Sequence, residues 1–116
     1  MKLLTKAITK KLEKNRELAD HFDVKPVVKL FAPSGAATWL ISEIDEDGDM
    51  MFGLCDLGTG NAELGYVSLS ELTKLKVPPF GLGIERDLHW TAEKTLKEYA
   101  EDERALAARR ASWSQV

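Results

Sequence analysis

The apolar positions of this chain recur first at a helical spacing and then at strand spacings. Leu4, Ile8 and Leu12 follow one another every four residues with lysines between them, which predicts an amphipathic helix capped by Thr5. Short segments rich in aliphatic and aromatic residues follow, separated by turn residues, and are typical of strands. These segments are Val27–Phe31, Thr38–Ile44, Met50–Leu57 and Glu63–Val67.

Alternation assigns faces to the predicted strands. In the second strand we expect Trp39 and Ile41, with Glu43, on one side, and Leu40, Ser42 and Ile44 on the other. The third strand is apolar on both faces, which predicts an interior position. Asp47-Gly48 between these strands is a strong hairpin signal, so the strands should be antiparallel.

Two helices are predicted after the strands. Ser68-Leu69-Ser70-Glu71 has the pattern of a capping box, in which the serine caps a short helix reaching about Leu75 and the glutamate bonds back. Thr91 can cap a last helix from Ala92 to about Arg110, with only a thin apolar stripe. The expected fold is α+β, with an antiparallel sheet of about four strands, an N-terminal helix, a short helix after the last strand and a longer C-terminal helix. Residues 1–100 would form the domain and residues 101–116 a helical extension or tail, which offers a homodimer contact through Trp113.

Composition narrows the class of protein. The 116 residues are 44% hydrophobic and 30% charged, as in a soluble globular protein, and no apolar run approaches the length of a membrane span. The first residues lack the apolar core of a signal peptide, so we expect a cytoplasmic protein without a membrane partner. The single cysteine, Cys55, excludes an intramolecular disulfide and is expected to be a buried structural thiol, since a catalytic thiol would need His21 or His89 beside it.

The charge is unevenly spread although the net charge is only −3. Residues 1–30 carry eight Lys and Arg against four acids, whereas residues 31–72 carry eight acids and no Lys or Arg. We therefore expect a partner-binding acidic surface, formed by Asp45, Glu46, Asp47, Asp49, Asp56 and Glu63. A nucleic-acid contact is the alternative and is less favoured because the chain is acidic overall. It would use Lys6, Lys10, Lys11, Lys14 and Arg16.

The segment Glu85-Arg86-Asp87 admits more than one interpretation. If it is extended, Glu85, Asp87 and His89 project from one face, where they could bind a divalent metal or act as acid and base. Arg86 could instead form a bidentate ion pair with one of the acids and lock the loop onto the sheet, or the segment could face a partner. We expect structural locking, with no bound metal and no cofactor.

Three pieces of the sequence together resemble a known family. They are MKLLTKAITKKL, FGLCDLGTGNAELGYVSLSEL and PPFGLGIERDLHWTAEKTL, and in that order they resemble the bacterial and phage family DUF2958 over roughly residues 1–97. Members occur largely on plasmids, conjugative elements and phages, beside genes for DNA maintenance and anti-restriction. The resemblance implies an accessory role in mobile DNA within a bacterial host cell, and it supplies no catalytic residues.

These observations favour a non-enzymatic interaction protein of a mobile genetic element. Its expected partner is a protein, such as a host defence nuclease or nucleic-acid-binding complex inhibited through the acidic surface. Two alternatives stay open: a DNA-binding accessory factor that uses the basic N-terminal helix, and a metal-dependent enzyme at Glu85, Asp87 and His89.

Overall fold

Helices and strands are interleaved along the chain in the computed structural model, which describes residues 2–18 and 23–114, with side chains up to Ala108. His21, one of the two possible partners for a reactive thiol, and Trp113, the expected dimer anchor, lie outside the side chains described. The elements are α1 (Lys6–Arg16), β1 (Val28–Phe31), β2 (Thr38–Ile44), β3 (Met50–Asp56), β4 (Glu63–Ser68), α2 (Leu69–Lys74), β5 (Glu85–Arg86) and α3 (Leu96–Ser114).

The strands form one antiparallel sheet in the order β4-β3-β2-β1-β5. The predicted α+β class is therefore confirmed, and β3 has the interior position that its apolar faces indicated. The strand missing from the prediction is β5, which pairs Arg86 with Leu30 and Glu85 with Phe31. Because it is only two residues long, it has no periodicity that a sequence pattern could reveal.

The two faces of the sheet are covered by different helices. On one face, Leu30, Trp39, Ile41 and Met51 pack with Leu12 of α1 in the larger core cluster. On the other face, aliphatic and aromatic residues of β2 and β3 pack with the first turns of α3, in a cluster that includes Leu40, Phe52, Leu54, Leu96 and Ala100. Within the described residues, no helix is both long and apolar enough to cross a membrane.

A β-bulge changes the faces predicted for the second half of β2. The register with β3 shifts between Ile41 and Glu43, which leaves Ser42 as the extra residue. As a result Ile44 joins the same core cluster as Ile41, and Glu43 is paired with Phe52. The expectation that Ile44 lies on the face opposite Ile41 is wrong, because strict alternation holds only in a strand without an inserted residue.

Polar side chains cap the start of α1 and attach its end to the sheet. The Thr5 hydroxyl accepts a hydrogen bond from the amide of Ile8, which confirms the predicted N-cap. At the other end, Asn15 Nδ2 donates to the carbonyl of Ser42 at 2.9 Å and Arg16 Nη1 donates to that of Ile44 at 3.0 Å. The helix is therefore fixed in direction as well as buried along one side.

The start of α2 is capped as predicted by Ser68, but its second acceptor is not the expected one. The Ser68 hydroxyl accepts from the amide of Glu71, and the Asp49 carboxylate accepts from the Ser68 hydroxyl and the Ser70 amide. The helix ends at Lys74, one residue before the Leu75 at which we expected it to end, and Leu75 is 41% exposed.

The last helix begins four residues later than predicted. Thr95, not Thr91, caps α3: its hydroxyl accepts from the amide of Glu98, while the Glu98 carboxylate accepts from the amide and hydroxyl of Thr95. This reciprocal pair is a capping box. The hydrogen bond from the amide of Leu96 to the carbonyl of Val24 places the first turn against the segment before β1.

Candidate functional site

Three loops of almost uncharged residues meet at one end of the sheet. They are residues 32–37 between β1 and β2, residues 57–62 between β3 and β4, and residues 75–83 between α2 and β5. Together they hold 21 residues, of which only Lys76 is charged, in a chain that is 30% charged overall. We call this region the uncharged loop end.

The first of these loops touches the other two. The Ser34 hydroxyl donates to the carbonyl of Val77 at 3.0 Å, and a Cβ placed on Gly35 would lie 3.3 Å from Val77 Cγ1. On its other side, a Cβ placed on Gly58 would lie 2.5 Å from that of Ala36. The three loops therefore form one surface.

The surface carries exposed apolar side chains on an ordered backbone. Phe80 is 76% exposed and Leu57 is 63% exposed, and Leu75 and Leu82 also lie open to solvent. The loop with Phe80 is closed by a bridge between Val77 and Leu82, whose amide–carbonyl distance is 2.9 Å. Gly81 completes the turn with a φ of 65°, a conformation that glycine adopts without strain.

The six acids of the predicted acidic surface do not come together. Asp45, Glu46, Asp47 and Asp49 lie on the turn between β2 and β3, at the end of the sheet away from the uncharged loop end. Asp56 and Glu63 lie at the other end of β3, about 20 Å along a strand of this length. Those two also project from opposite faces of the sheet, because Asp56 follows Leu54 on the α3 face whereas Glu63 pairs with Cys55.

Two acids of the β2–β3 turn are engaged in structure. The Asp47 carboxylate accepts from the amides of Asp49 and Met50 and so shapes the turn. The pKa of Asp49 lies below its usual value, mainly because the Ser68 hydroxyl donates to its carboxylate and, second in importance, because the amide of Ser70 does so. Asp49 therefore joins the turn to α2.

The five basic residues of the predicted nucleic-acid contact are also divided. Lys6 and Lys10 line a cleft of about 530 Å³, which is also lined by Lys2 and Arg86. Lys11 and Lys14 are exposed on other parts of α1, and Arg16 is bonded to the carbonyl of Ile44.

The predicted ion pair of Arg86 with a neighbouring acid is wrong: the side chain bonds instead to backbone carbonyls at the start of the chain. Its Nη1 donates to the carbonyl of Lys2 at 2.9 Å and to that of Leu3 at 2.8 Å. The segment thus connects the β5 edge of the sheet to the residues that precede α1, more than 80 positions away in the chain. A spacing pattern cannot indicate such a contact.

Glu85, Asp87 and His89 do not form the row expected of an extended segment. Glu85 is exposed beside Phe31, and the amide of Asp87 still donates to the carbonyl of Lys29 in β1. The chain then turns: the Asp87 carboxylate accepts from the amide of His89, so His89 does not continue the row. In the part of the chain that the structure describes, no group of three His, Cys, Asp or Glu residues is arranged to hold a metal ion.

Cys55 is half-buried on the α1 face of the sheet, where it packs against the larger core cluster. Burial raises the pKa of its thiol, because the thiolate is poorly solvated there. Its environment agrees with the structural thiol that the sequence predicted.

A smaller cleft of about 270 Å³, between the sheet and the start of α3, contains residues that the sequence did not single out. The ring centroids of Trp90 and Tyr99 are 6.2 Å apart at its wall, and the Tyr99 hydroxyl accepts from the amide of Glu93. Lys29 and Asp56 also line this cleft. These residues lie far apart in the chain, so only the fold brings them together.

A comparison with family models matches residues 3–110 to the family described as "Protein of unknown function (DUF2958)". The match covers nearly the whole chain, including the uncharged loop end and, except for Lys2, the residues that line the cleft beside α1. No curated protein and no solved structure matches.

Proposed function

The chain belongs to the DUF2958 family, and we propose on physical grounds that it is a non-enzymatic interaction protein whose uncharged loop end binds a protein partner. The observation that carries the proposal is the concentration of exposed apolar side chains, above all Phe80, on the part of the surface with the fewest charges. Contiguous apolar surface on a small soluble protein is characteristic of interaction sites.

The composition of this surface fits a protein interface better than a solvated loop. The centre of a protein–protein interface is depleted in charged residues and enriched in aromatic ones, which is the character of the loop with Phe80. A standard interface uses roughly 20–30 residues on each side, and of the 21 residues in the three loops all except the buried Ala32 are at least partly exposed. Phe80, at the tip of its loop, would be the main anchor, with Leu82 in the same loop.

The ordered loops also favour binding. The hydrogen bond from Ser34 to the carbonyl of Val77, the Val77–Leu82 bridge and the amide of Gly81 donating to the Val77 carbonyl at 2.9 Å hold the backbone. A preorganised surface loses less conformational entropy on binding than a flexible one.

We propose a host defence nuclease or nucleic-acid-binding complex as the partner, the class to which the mobile-element setting of the family points. A protein that handles nucleic acid has basic surface, and the exposed Glu46 and Asp47, with the half-buried Asp45, would meet it at the far end of the sheet. In this proposal the loops supply most of the affinity, while the acidic turn supplies long-range attraction and orientation.

The test is capture of host proteins on the immobilised chain after nuclease treatment, with matched variants. The double variant Phe80→Ser, Leu82→Ser removes apolar side chains from the loop end. Leu88→Ser is the matched control. The Leu88 side chain is 63% exposed, but Leu88 comes after β5, at the end of the strand away from the loop with Phe80. We expect the double variant to lose a partner that the wild type and Leu88→Ser retain, with all three chains equally stable.

Two results would contradict the proposal. One is recovery of the same proteins by the double variant and by the wild type. The other is a concentration-dependent dimer, seen by light scattering after gel filtration, that the double variant abolishes, since this would assign the loop end to self-association. Neutralising Asp45, Glu46 and Asp47 should weaken capture mainly at low salt.

A further inference from the structure

The cleft between α1 and the β5 edge combines two groups of residues that the sequence presented separately. One side consists of Lys6 and Lys10 from α1, and the other of Lys2 and Arg86. Lys6 and Lys10 are four residues apart in one helix, so their side chains leave the same face one turn apart. We propose that this cleft binds a compact, multiply charged phosphate group.

The cleft has an excess of positive charge. Four cationic side chains line the cleft against one acid, Glu13. The structure records no ion pair for Lys2, Lys6 or Lys10 within residues 2–18 and 23–108. Four cations clustered with a single acid create a local positive potential in a chain whose net charge is −3.

The Arg86 side chain is held rigidly in the cleft. Arg86 is half-buried, and its Nη1 is held by the carbonyls of Lys2 and Leu3, so the guanidinium plane is fixed at the cleft wall. These bonds use Nη1, and the other guanidinium nitrogens remain as donors for a planar, bidentate contact of the kind that arginine makes with phosphate. The lysines approach as adaptable point charges from a helix that is itself anchored at Asn15 and Arg16.

The size and surroundings of the cleft select a compact ligand. Its volume of about 530 Å³ lies within the range of small-molecule sites. Glu13 also lines the cleft, and beyond it the end of α1 lies beside the acidic turn between β2 and β3, where Arg16 donates to the carbonyl of Ile44. An extended polyanion would meet these acids, whereas a pyrophosphate or a phosphate monoester would contact only the cations. Thr5 also lines the cleft, and its hydroxyl, which accepts from the amide of Ile8, keeps its own hydrogen to donate to a phosphate oxygen.

Calorimetric titration of the full chain with inorganic pyrophosphate at low salt tests the proposal. The test variant is Lys6→Gln, Lys10→Gln. The matched control is Lys11→Gln, Lys14→Gln, which removes the same charge from the same helix outside the cleft. We expect saturable binding by the wild type, a dissociation constant raised roughly tenfold or more in the test variant, and less than about a twofold change in the control.

Two further ligands identify the source of the phosphate. A nucleoside diphosphate that binds more tightly than a 5′-phosphorylated single-stranded oligonucleotide supports a small phosphorylated molecule. The reverse order, with no binding of the same oligonucleotide lacking its 5′-phosphate, supports the end of a nucleic acid. The proposal is overturned by absence of saturable pyrophosphate binding, by equal losses in the test and control variants, or by binding of both oligonucleotides with the same measurable affinity, since the 5′-phosphate would then contribute nothing.

Discussion

Gly53 offers the sharpest test of the sheet that carries both candidate surfaces. It lies in β3 opposite Ile41 of β2 and opposite Gly65 of β4. A Cβ on Gly53 would lie 2.0 Å from the carbonyl oxygen of Leu40 and 2.9 Å from the Cα of Ile41. Both neighbours are backbone atoms, so no side-chain rotation can relieve the contact. The same addition at Gly65 meets nothing within 4 Å.

The cost of Gly53→Ala follows from these distances. Ordinary contact of a Cβ begins at 3.4 Å, so β2 and β3 must separate locally by about 1.4 Å. A shift of that size breaks about two hydrogen bonds of the ladder, each worth about 1 kcal/mol, and adds overpacking strain of about 1–3 kcal/mol. We expect Gly53→Ala to lower the free energy of unfolding by about 3–5 kcal/mol, a large part of the 5–15 kcal/mol typical of a domain.

Urea unfolding followed by tryptophan fluorescence measures this difference, because Trp39 is buried in the neighbouring strand. With a slope of about 1.5 kcal/mol per molar, the midpoint of Gly53→Ala should fall by about 2 M or more. The control Gly65→Ala should change stability by less than about 1 kcal/mol, and in the stabilising direction. Midpoints for the two variants that agree within about 0.3 M would refute the close approach of β2 and β3.

The remaining predictions concern caps and titrating groups. Thr95→Ala should lower the free energy of unfolding by about 1 kcal/mol and reduce helical circular dichroism, whereas Thr91→Ala should change neither, because α3 begins after Thr95. Equal effects of the two substitutions would contradict the assignment of Thr95 as the cap. Because the folded-state pKa of Asp49 is lowered below 3.8, its contribution to stability is present above that pH and is lost as the pH falls through the folded value. The difference in melting temperature between wild type and Asp49→Asn should therefore be largest at neutral pH and disappear at low pH, and a constant difference would argue against the Ser68 contact. Since burial raises the pKa of the Cys55 thiol, we expect a disulfide reagent at mildly alkaline pH to label the native chain more slowly than the urea-unfolded chain, and equal labelling rates would contradict this burial.

Elements stabilised by near neighbours in the sequence could be predicted. Thr5 caps a helix whose apolar spacing is local, and the Asp47-Gly48 hairpin requires only residues of its own turn. Ser68 was identified for the same reason, because its hydroxyl serves an amide three residues later. In each case the physical cause lies within about one turn of the chain.

Features with distant partners could not be predicted. Asp49 completes the cap of α2 from 19 to 21 residues away, and Arg86 bonds to carbonyls of Lys2 and Leu3. The bulge at Ser42 depends on the register with β3. No residue spacing encodes these contacts, since each arises only when the sheet has formed.

The division of the predicted acidic surface has a different explanation. Successive hairpin turns lie at opposite ends of the strand they share, so the turn after β2 and the turn after β3 could not adjoin. Charge counted along the sequence groups Asp45 with Asp56, whereas strand geometry separates them. The sequence did contain the uncharged loop end, as three loops nearly free of charge, but their adjacency follows from the contacts of Ser34 and Ala36 with the other two.

The short strand β5 connects the two proposed binding surfaces, which remain separate sites. The loop with Phe80 leads through the buried Ile84 into β5, where Arg86 reaches the cleft beside α1. Ile84 belongs to the larger core cluster, and β5 is paired with β1, so this connection is held by packing and hydrogen bonds. A contact at Phe80 therefore acts on a segment that the core already fixes. We therefore expect a ligand in the cleft to leave the affinity of the loops for a partner unchanged.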